Sequence, residues 1–374
     1  MGVSSMSDTL PTIWELEPHT AAKHRILRSY LDAWFPILAR HPKAKRVLYV
    51  DAFAGPGEYK NGEDGSPVIA LKAVLEHSHK FDTLIRLVFV EQNQARCDHL
   101  RAVIGRYADK IKAAHKRVEV SGPHCDDCEK LLSKALAAYE AKRQPFGPAL
   151  IFLDQFGYSD VPLALVANIM RYEQCEVFSY LHGDGIRRFL EDPSKHEAIS
   201  RAYGGDSWKA ALKLPLKQRV TFLANEYQSV LKSKAGVKFV WHFAMHGEGD
   251  KLLYWLFFCT NHRRGLEEMK RAMAKVDTSG GSFKFSDAFD PGQLVLFDRF
   301  SDKWLEEHLS RHFAGKEITV KGIAEHVLEH TPGVLYKTVL KKLEDDGAIE
   351  VLPPYGKRRR GSFPDENLKI RFRS

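Results

Sequence analysis

The segment from Asp51 to Gly57 combines a carboxylate with two glycines directly after an apolar run. A buried strand that ends in a tight glycine turn brings backbone N–H groups against a ligand, because glycine has no Cβ to hold the ligand away. Asp51 stands at the strand end, where it can accept hydrogen bonds from the turn or from a water near the ligand. We predict that Asp51, Phe53, Gly55 and Gly57 bind a nucleotide-like cofactor; the alternative is a plain strand-to-helix turn.

A second acidic residue, Glu91, ends the apolar run RLVFVE. A carboxylate at that place can accept hydrogen bonds from both hydroxyls of a ribose. Its distance from Gly57 exceeds the roughly 20 residues of the simple dinucleotide fingerprint, because the polar loop 58–67 (EYKNGEDGSP) intervenes. This loop is either a substrate or lid loop or a tolerated surface insertion.

The third apolar run is followed by SGPHCDDC, residues 121–128. Asp126 or Asp127 is a candidate acceptor for an adenine amino group, and the sequence does not choose between them. Cys125 and Cys128 form a Cys-x-x-Cys pair, but no second Cys-x-x-Cys accompanies it. We therefore predict no metal site and interpret this segment as a loop followed by a helix start.

The fourth apolar run ends in DQFGY, residues 154–158. Asp154 could polarise a nucleophile or accept a proton from it, and Phe156 or Tyr158 could stack on a flat substrate. We predict these three residues as catalytic, with Asp154 also near the cofactor. The alternative is a helix-capping aspartate with core aromatic residues. His182 and Asp184 add polar groups just after the fifth run.

The elements that must position these residues alternate between apolar runs and helical stretches. A long amphipathic helix over 21–39 comes first. The predicted strands are 47–50, 84–90, 117–120, 149–153 and 176–181, and the predicted helices between them are 68–77, 94–107, 129–141 and 163–171. This alternation predicts a parallel sheet built from right-handed crossovers.

Two further β-prone runs, 238–245 and 252–259, are joined by HGEGDK and predict a hairpin. Five parallel strands followed by a hairpin are typical of class I S-adenosylmethionine-dependent methyltransferases, whereas a nicotinamide-binding Rossmann domain needs no such hairpin. The predicted fold class is therefore α/β, with a Rossmann-like methyltransferase sheet and S-adenosylmethionine as cofactor. A helical insertion over about 184–235 is expected to form a substrate lid over the carboxyl edge of the sheet.

The sequence beyond residue 290 has the pattern of a winged helix: a helix, a short strand, two helices around Thr-Pro-Gly, and two strands joined by a basic loop. We predict three regions: an N-terminal helical segment (1–40), the methyltransferase-like domain (41–290) and the winged helix (291–374). Nucleic-acid contact is expected from Lys337, Lys341 and Lys342 on the second helix and from Lys357, Arg358, Arg359 and Arg360 on the wing. The alternative is a winged helix that contacts only protein.

Composition sets the broad class. The chain has 374 residues, of which 44% are hydrophobic, and a formal net charge of +8. The N-terminus lacks a basic region followed by an apolar one, and no apolar segment reaches the roughly 20 residues that span a bilayer, so we expect a cytoplasmic protein without membrane contact. Five scattered cysteines do not describe a disulfide framework, and we expect them to be reduced.

Several segments together resemble the three-Cys-motif partner protein family: PHTAAKHRILRSYLDAWFPIL, YVDAFAGPGEYKNGEDGSPVIAL, LIFLDQFGYSDVP and LYWLFFCTNHRRGLEEMKRAM, followed by the winged helix. The resemblance implies a methyltransferase-like protein whose partner carries a three-cysteine motif and is similar to radical S-adenosylmethionine proteins. It also implies that His19, Lys23 and His24 border the site, with Asp154, Phe156 and Gly157 at the reaction centre. Family members often have Asp-Pro-Phe-Gly where this chain has Asp-Gln-Phe-Gly.

Three functional hypotheses follow. The first is a methyltransferase that acts on nucleic acid together with the three-Cys-motif protein. Enzymes that methylate amino groups of bases use Asp or Asn followed by two prolines and an aromatic residue, and the prolines are missing here. The second is a cofactor-binding adaptor without catalysis, and the third is a nicotinamide oxidoreductase, which the hairpin disfavours.

Overall fold

A computed structural model describes residues 11–40, 44–78, 81–114, 117–155, 161–182, 189–277, 284–286, 302–331, 333, 336–353 and 358–373. The chain divides into two compact units. The first comprises Met1–Ala272 with Phe285–Ala288, and the second comprises Met273–Lys284 with Phe289–Ser374. The predicted domain boundary at residues 290 and 291 lies outside the described residues.

Among the described residues, the larger sheet has eight strands in the order β3-β2-β1-β4-β5-β7-β6-β8. The strands are β1 (Arg46–Asp51), β2 (Leu84–Val90), β3 (Val118–His124), β4 (Ala149–Leu153), β5 (Cys175–Leu181), β6 (Phe239–His246), β7 (Leu252–Thr260) and β8 (Lys284–Ser286). The first five pair in parallel, and β7 is antiparallel to both β5 and β6. The predicted α/β fold class is confirmed, including the hairpin; the short edge strand β8 was not predicted.

The register of the central strands brings the predicted site residues to one edge of the sheet. Asp51, the last residue of β1, lies opposite Phe89 of β2 and Phe152 of β4. Glu91 and Asp154 directly follow β2 and β4, so both carboxylates lie beside the end of β1. The strand order reverses between β1 and β4, and ligands of open α/β sheets bind at such a switch point.

The helices of the first unit follow the predicted alternation. They are α1 (Pro18–Ala39), α2 (Ser66–Leu75), α3 (Gln94–Gly105), α4 (Ala108–Ala113), α5 (Cys128–Ala141), α6 (Leu163–Met170), α7 (His196–Tyr203), α8 (Leu216–Ser233) and α9 (Arg263–Ala274). Helix α1 buries one face, which includes Ile26, Leu27, Tyr30 and Leu31, as its helical periodicity predicts. Short α4 extends the predicted helix 94–107 after a break.

The segment between β5 and β6 differs from the predicted lid. Its described part is helical, with α7, α8 and two 3-10 turns, but Trp208, Tyr203 and Tyr227 are buried in the core cluster that also contains Phe257 of β7. The rings of Tyr227 and Phe257 meet edge to face at 4.9 Å between centroids. These large apolar side chains draw the segment onto a face of the sheet, because burying them there removes more apolar surface from water than an edge position would.

The second unit contains a winged helix, as predicted. Helices α10 (Asp302–His312), α11 (Val320–His330) and α12 (Tyr336–Asp345) pack on an antiparallel sheet in which β11 (Lys369–Phe372) lies between β10 (Ile349–Val351) and β9 (Glu317–Thr319). The core includes Leu309, Ile323, Val339 and Ile370. Helix α11 begins at Thr319, whose hydroxyl accepts a hydrogen bond from the Gly322 N–H at 3.0 Å and thereby caps the helix.

The expectation that the cysteines are reduced is wrong for one pair. Cys97 on α3 and Cys125 after β3 form a disulfide, with their Cα atoms 5.9 Å apart. The two residues are 28 positions apart in the sequence, and the packing of α3 beside β3 brings them together. Because Cys125 is bonded to Cys97, it is not available to pair with Cys128 as a Cys-x-x-Cys site.

None of the helices in the described ranges is both long enough and apolar enough to cross a membrane.

Candidate functional site

The glycine turn after β1 has the backbone that its sequence predicts. Gly55 and Gly57 have φ angles of +62° and +90°, which side chains with a Cβ rarely adopt. A Cβ on Gly57 would lie 2.6 Å from the Leu100 Cδ1 atom of α3, whereas a Cβ on Gly55 would meet no described atom within 4 Å. The turn is therefore closed against α3 at Gly57 and open at Gly55, which leaves room for a ligand beside the backbone.

Asp51 lies fully buried below this turn. Its Oδ1 atom has no hydrogen-bond partner among the described residues. Burial, opposed by a hydrogen bond from Ser66 and assisted by the nearby Asp154 carboxyl, raises the pKa of Asp51 to about 7. A buried carboxylate oxygen without a donor costs free energy unless a ligand supplies one, so Asp51 fits a cofactor that carries an ammonium group.

Glu91 is held by two backbone donors. The Gly55 N–H donates to Oε2 at 3.0 Å, and the Asn93 N–H donates to Oε1 at 2.8 Å. Burial raises the pKa of Glu91, and the hydrogen bond from Asn93 opposes that rise. Each carboxylate oxygen has a second lone pair. The free lone pairs are compatible with the predicted contact of Glu91 with two ribose hydroxyls, which stays a prediction, and Glu91 ties the glycine turn to the end of β2.

The two candidates for the adenine contact have different roles in the structure. Asp127 is the N-cap of α5 and accepts from the Lys130 N–H at 2.9 Å. Asp126 is exposed, and its Oδ1 accepts from the Asp127 N–H at 2.8 Å. The capping bond occupies Asp127, so of the two predicted residues Asp126 has the more accessible side chain. The segment is a loop followed by a helix start, as its sequence indicated.

Asp154 forms an ion pair with Lys23 of α1, across 131 residues of sequence. The side chain of Lys23 is 8% exposed and that of Asp154 is 18% exposed. The Lys23 Nζ lies 5.9 Å from the centroid of the Tyr254 ring, which packs against the Tyr180 ring at 4.4 Å. The lysine was implied only by the family resemblance. Its position on the apolar face of α1, three and four residues before Ile26 and Leu27, is the signal in the sequence that marks it as unusual.

The other residues that the resemblance placed on α1 also border this edge. The His19 ring meets the Tyr254 ring edge to face at 5.6 Å, and His19 pairs with Glu17 at 3.0 Å. His24 is buried, and burial together with the neighbouring Lys23 lowers its pKa to about 3. His24 is thus neutral near pH 7, and Lys23 is the cation that α1 brings to Asp154.

Several predicted residues of this edge lie outside the described residues, namely Phe156, Gly157, Tyr158 and Asp184. The neighbouring Gln155, which replaces the proline of the family pattern, donates from Nε2 to the Tyr180 carbonyl at 3.1 Å. The side chain at this position therefore bridges β4 and β5. The His182 ring packs edge to face on the Tyr180 ring at 5.8 Å, which is a structural contact of the kind expected for a histidine at a strand end.

The loop between the glycine turn and α2 is tied down at both sides. Glu58 accepts from Arg106 at 2.6 Å and lies 3.0 Å from the His99 Nε2. The Lys60 N–H donates to the Trp14 carbonyl at 2.9 Å. These bonds hold the loop against the chain before α1 and against α3, so the loop forms a fixed wall beside the glycine turn.

The cations predicted to contact nucleic acid differ in their exposure and in their ion pairs within the winged helix. Lys337, Lys341, Arg359 and Arg360 are exposed. Lys342 pairs with Glu306 at 2.7 Å, and Arg358 forms a two-bond pair with Glu344 at 2.6 and 2.9 Å with its side chain 9% exposed. Arg358 therefore stabilises the wing through its pair with Glu344. Its place in the basic run of residues 357–360 did not indicate this role. Lys357 lies outside the described residues.

A cluster of histidines in the winged helix was not predicted from the sequence. His308 and His312 on α10 face His326 and His330 on α11, and the Nε2 atoms of His308 and His326 are 2.9 Å apart. Their i,i+4 spacing on two helices is the signal that could have revealed it. The pair His308–His326 is a hydrogen bond between two imidazoles. In the described ranges, no group of three His, Cys, Asp or Glu side chains could hold a metal ion.

Comparison with known proteins adds one domain match. Residues 284–356 match the family described as GMT-like wHTH domain. No curated protein matches the chain.

Solved structures similar to the chain include three at low identity. A putative methyltransferase, yhhF, from Escherichia coli is 15% identical, with 42% of this chain and 67% of that chain covered and a TM-score of 0.23. The bifunctional kinase-methyltransferase WbdD is 10% identical, with 98% and 80% covered and a TM-score of 0.33. A possible exported protein from Bordetella parapertussis is 10% identical, with 66% and 71% covered and a TM-score of 0.32. Similarities at this level do not identify an activity.

Proposed function

We propose that this protein is an S-adenosylmethionine-dependent methyltransferase that acts on nucleic acid in the cytoplasm, together with a three-Cys-motif protein. The observation that carries the proposal is the buried Asp51, whose Oδ1 atom lacks a donor within the described structure, at the switch point of a methyltransferase-type sheet. The partner and the nucleic-acid substrate are supported by the family resemblance and by the basic winged helix.

In this proposal, each residue at the switch point binds one part of the cofactor. Asp51 would accept from its ammonium group, the backbone at Gly55 would pass beside its amino-acid part, and Glu91 would accept from its ribose hydroxyls. Asp126 would accept from the adenine amino group. When bound, S-adenosylmethionine supplies an electrophilic methyl group on a sulfonium. The protein contributes alignment and a site with little water, because α1 and the loop at residues 58–65 cover this edge.

Substitution of Gly57 by valine tests the cofactor site. A Cβ there would lie 2.6 Å from Leu100, and φ near +90° is strained for valine, so we expect the dissociation constant for S-adenosylmethionine to rise at least tenfold in calorimetry. Gly105→Ala is the matched control, since a Cβ at Gly105 meets no described atom within 4 Å. An unchanged dissociation constant for Gly57→Val would remove the glycine turn from the cofactor site.

Transfer of radioactive methyl groups from the cofactor to cellular RNA and DNA tests catalysis. We expect incorporation into nucleic acid that increases when the three-Cys-motif protein is added. Cofactor binding without incorporation into any fraction, with the partner present, would instead support the adaptor without catalysis.

The exposed cations of the winged helix provide a separate test of nucleic-acid binding. Lys337→Glu together with Arg359→Glu should weaken binding to RNA and reduce the slope of log K against log salt concentration by about one for each phosphate that is no longer neutralised. Lys238→Glu, an exposed lysine of the first unit, is the control. A double variant that keeps both affinity and salt slope would leave the winged helix with protein contacts only.

A further inference from the structure

We propose that the methyl acceptor is an oxygen, the 2′-hydroxyl of an RNA ribose, and that Lys23 is a catalytic residue held in place by Asp154. The inference rests on the proposed function and narrows it from nucleic acid to one acceptor group. Its starting point is the ion pair between Lys23 of α1 and Asp154 at the end of β4.

The pair stands where the carboxyl edge of the sheet would present the acceptor to the methyl group. Asp154 follows β4, the strand beside β1 on the other side of the switch point from Glu91. Asp154 is close enough to Asp51 that its charge raises the pKa of that carboxyl, and the charge of Lys23 lowers it. The lysine, its aspartate and the predicted cofactor carboxylate therefore form one electrostatic group.

Burying the charged Lys23 costs desolvation free energy, and a purely structural role could be filled by an apolar residue without that cost. Lys23 is 6% exposed and lies among the buried residues of α1, such as Ala22, Ile26 and Leu27. A buried ion pair often stabilises a protein no more than apolar residues of the same volume. Buried cations with a specific partner in a site are therefore candidates for chemistry, and the location of Lys23 at the predicted reaction centre favours that explanation.

The sign of the charge distinguishes oxygen from nitrogen as the acceptor. A neutral amino group gains positive charge as it attacks a methyl group, so a neighbouring ammonium would repel the transition state. A hydroxyl that loses its proton develops negative charge on oxygen, and an ammonium stabilises it.

Among nucleic acids, this requirement points to RNA. Within a DNA strand, the sugar carries no free hydroxyl, whereas each RNA nucleotide presents a 2′-hydroxyl that proteins recognise as donor and acceptor. The partly exposed ring of Tyr180, which packs on the buried Tyr254 beside the lysine, is suited to contact the nucleoside that carries the hydroxyl.

Asp154, Lys23 and the cofactor sulfur together take up the proton and the charges that develop during methyl transfer. The 2′-hydroxyl proton passes to the Asp154 carboxylate while the Lys23 ammonium stabilises the developing alkoxide. The oxygen lone pair forms the new C–O bond, and the C–S bond breaks with its electron pair remaining on sulfur. The products are the 2′-O-methyl ether, S-adenosylhomocysteine and a proton, which Asp154 returns to water.

The atom that receives the methyl group can be identified with the unmodified protein, and this identification tests the proposal. Total cellular RNA and DNA are incubated with the full chain, the partner and tritiated S-adenosylmethionine, and the RNA is then hydrolysed with alkali. We expect the label in alkali-resistant dinucleotides, because a 2′-O-methyl group blocks cleavage at that ribose. Label in mononucleotides carrying methylated bases, or in DNA alone, would overturn the oxygen acceptor while leaving the proposed function standing. Absence of label in every fraction would overturn both.

Lys23→Met then tests the role of the lysine, since methionine has a similar volume without the charge. We expect kcat to fall at least 100-fold while the dissociation constant for S-adenosylmethionine changes less than threefold, and Lys23→Arg should restore part of the rate. Lys238→Met, at an exposed ion pair with Glu173, is the control. A Lys23→Met protein that keeps its circular dichroism spectrum and a rate within threefold of the original would show the ion pair to be structural.

Discussion

At the residue scale, Asp51 connects the protonation of the protein with its affinity for the cofactor. Burial raises the pKa of Asp51 to about 7, and its Oδ1 atom lacks a donor in the described structure. The ionised carboxylate pairs better with an ammonium group than the neutral acid does. Cofactor binding should therefore favour the form that exists above pH 7.

This linkage predicts that affinity for S-adenosylmethionine decreases as the pH falls below 7. For one group that must lose a proton with a pKa near 7, the dissociation constant should be about fivefold higher at pH 6 than at pH 7. Calorimetry over this range measures it. Asp51→Asn, which cannot titrate, should bind more weakly and show no such dependence. The same pH dependence in both proteins would assign it to another group.

The residues of the cofactor edge differ in how far their sequence predicted them. Asp51, Gly55 and Glu91 were predicted by their place after strands, and the structure brings them together. Lys23 was not derivable in this way, because its partner Asp154 lies 131 residues away. Which lysine reaches an aspartate depends on how α1 packs, and no local pattern contains that information.

At the element scale, the wing is stabilised by one of the cations that the sequence assigned to nucleic acid. Arg358 donates two hydrogen bonds to Glu344 of α12, and the Gly361 N–H donates to the same carboxylate at 2.7 Å. The carboxylate thus fixes the wing against α12. The neighbouring Arg359 is exposed and has no comparable burial.

Arg358→Ala should therefore destabilise the winged helix, by about 3 kcal/mol, because it leaves a half-buried carboxylate without its cation. Arg359→Ala is the matched control and should change stability by less than about 0.5 kcal/mol. The stability of each variant is measured by urea unfolding of the full chain, with proteolytic cleavage of the second unit as the readout. Equal stability of the two variants would contradict the structural role of Arg358.

The histidine pair between α10 and α11 makes the same unit sensitive to acid. Burial and the neighbouring His312 lower the pKa of His326 to about 4, and the same two causes lower the pKa of His308. Because these pKa values are lower in the folded than in the unfolded chain, the unfolded chain binds more protons below the ordinary pKa of 6.5. The contribution of the neutral His308 and His326 to the stability of the winged helix is therefore fully present above about pH 6.5.

We therefore expect the winged helix to lose stability progressively as the pH falls from 6.5 towards 4. Amide hydrogen exchange of α11, corrected for the intrinsic rate at each pH, should show faster opening over this range. In His326→Gln the decrease should be smaller, because one titrating group is removed. An identical pH profile for this variant would show that the groups responsible lie elsewhere.

At the scale of the whole molecule, the proposed cofactor site and the proposed nucleic-acid site lie in different compact units. A ligand that binds only the folded state stabilises it by about 2.7 kcal/mol at 100 times its dissociation constant. S-adenosylmethionine at that concentration should slow hydrogen exchange in β1, β2 and β4 by about 100-fold and leave the core of α11 and α12 unchanged. Protection in the second unit alone would contradict the assigned cofactor site.

Local sequence patterns were sufficient to predict most of the helices and strands of this protein. Periods of two and near 3.6 residues, the glycine turn after β1 and the β-prone hairpin predicted the strands and helices of the sheet, since these signals are local and repeat along each element. The winged helix was predicted in the same way, from its turn residues and its helices.

The long-range partners of individual side chains, in contrast, follow from how the elements pack. The disulfide Cys97–Cys125, the ion pair Lys23–Asp154 and the pair Arg358–Glu344 each join residues from different elements. Such pairs form when packing brings two backbones to one place, and in the two ion pairs burial then favours mutual neutralisation of the charges. For this reason a cofactor site could be predicted from its strand ends, whereas the pairing of Lys23 with Asp154 became evident only when α1 was placed against β4.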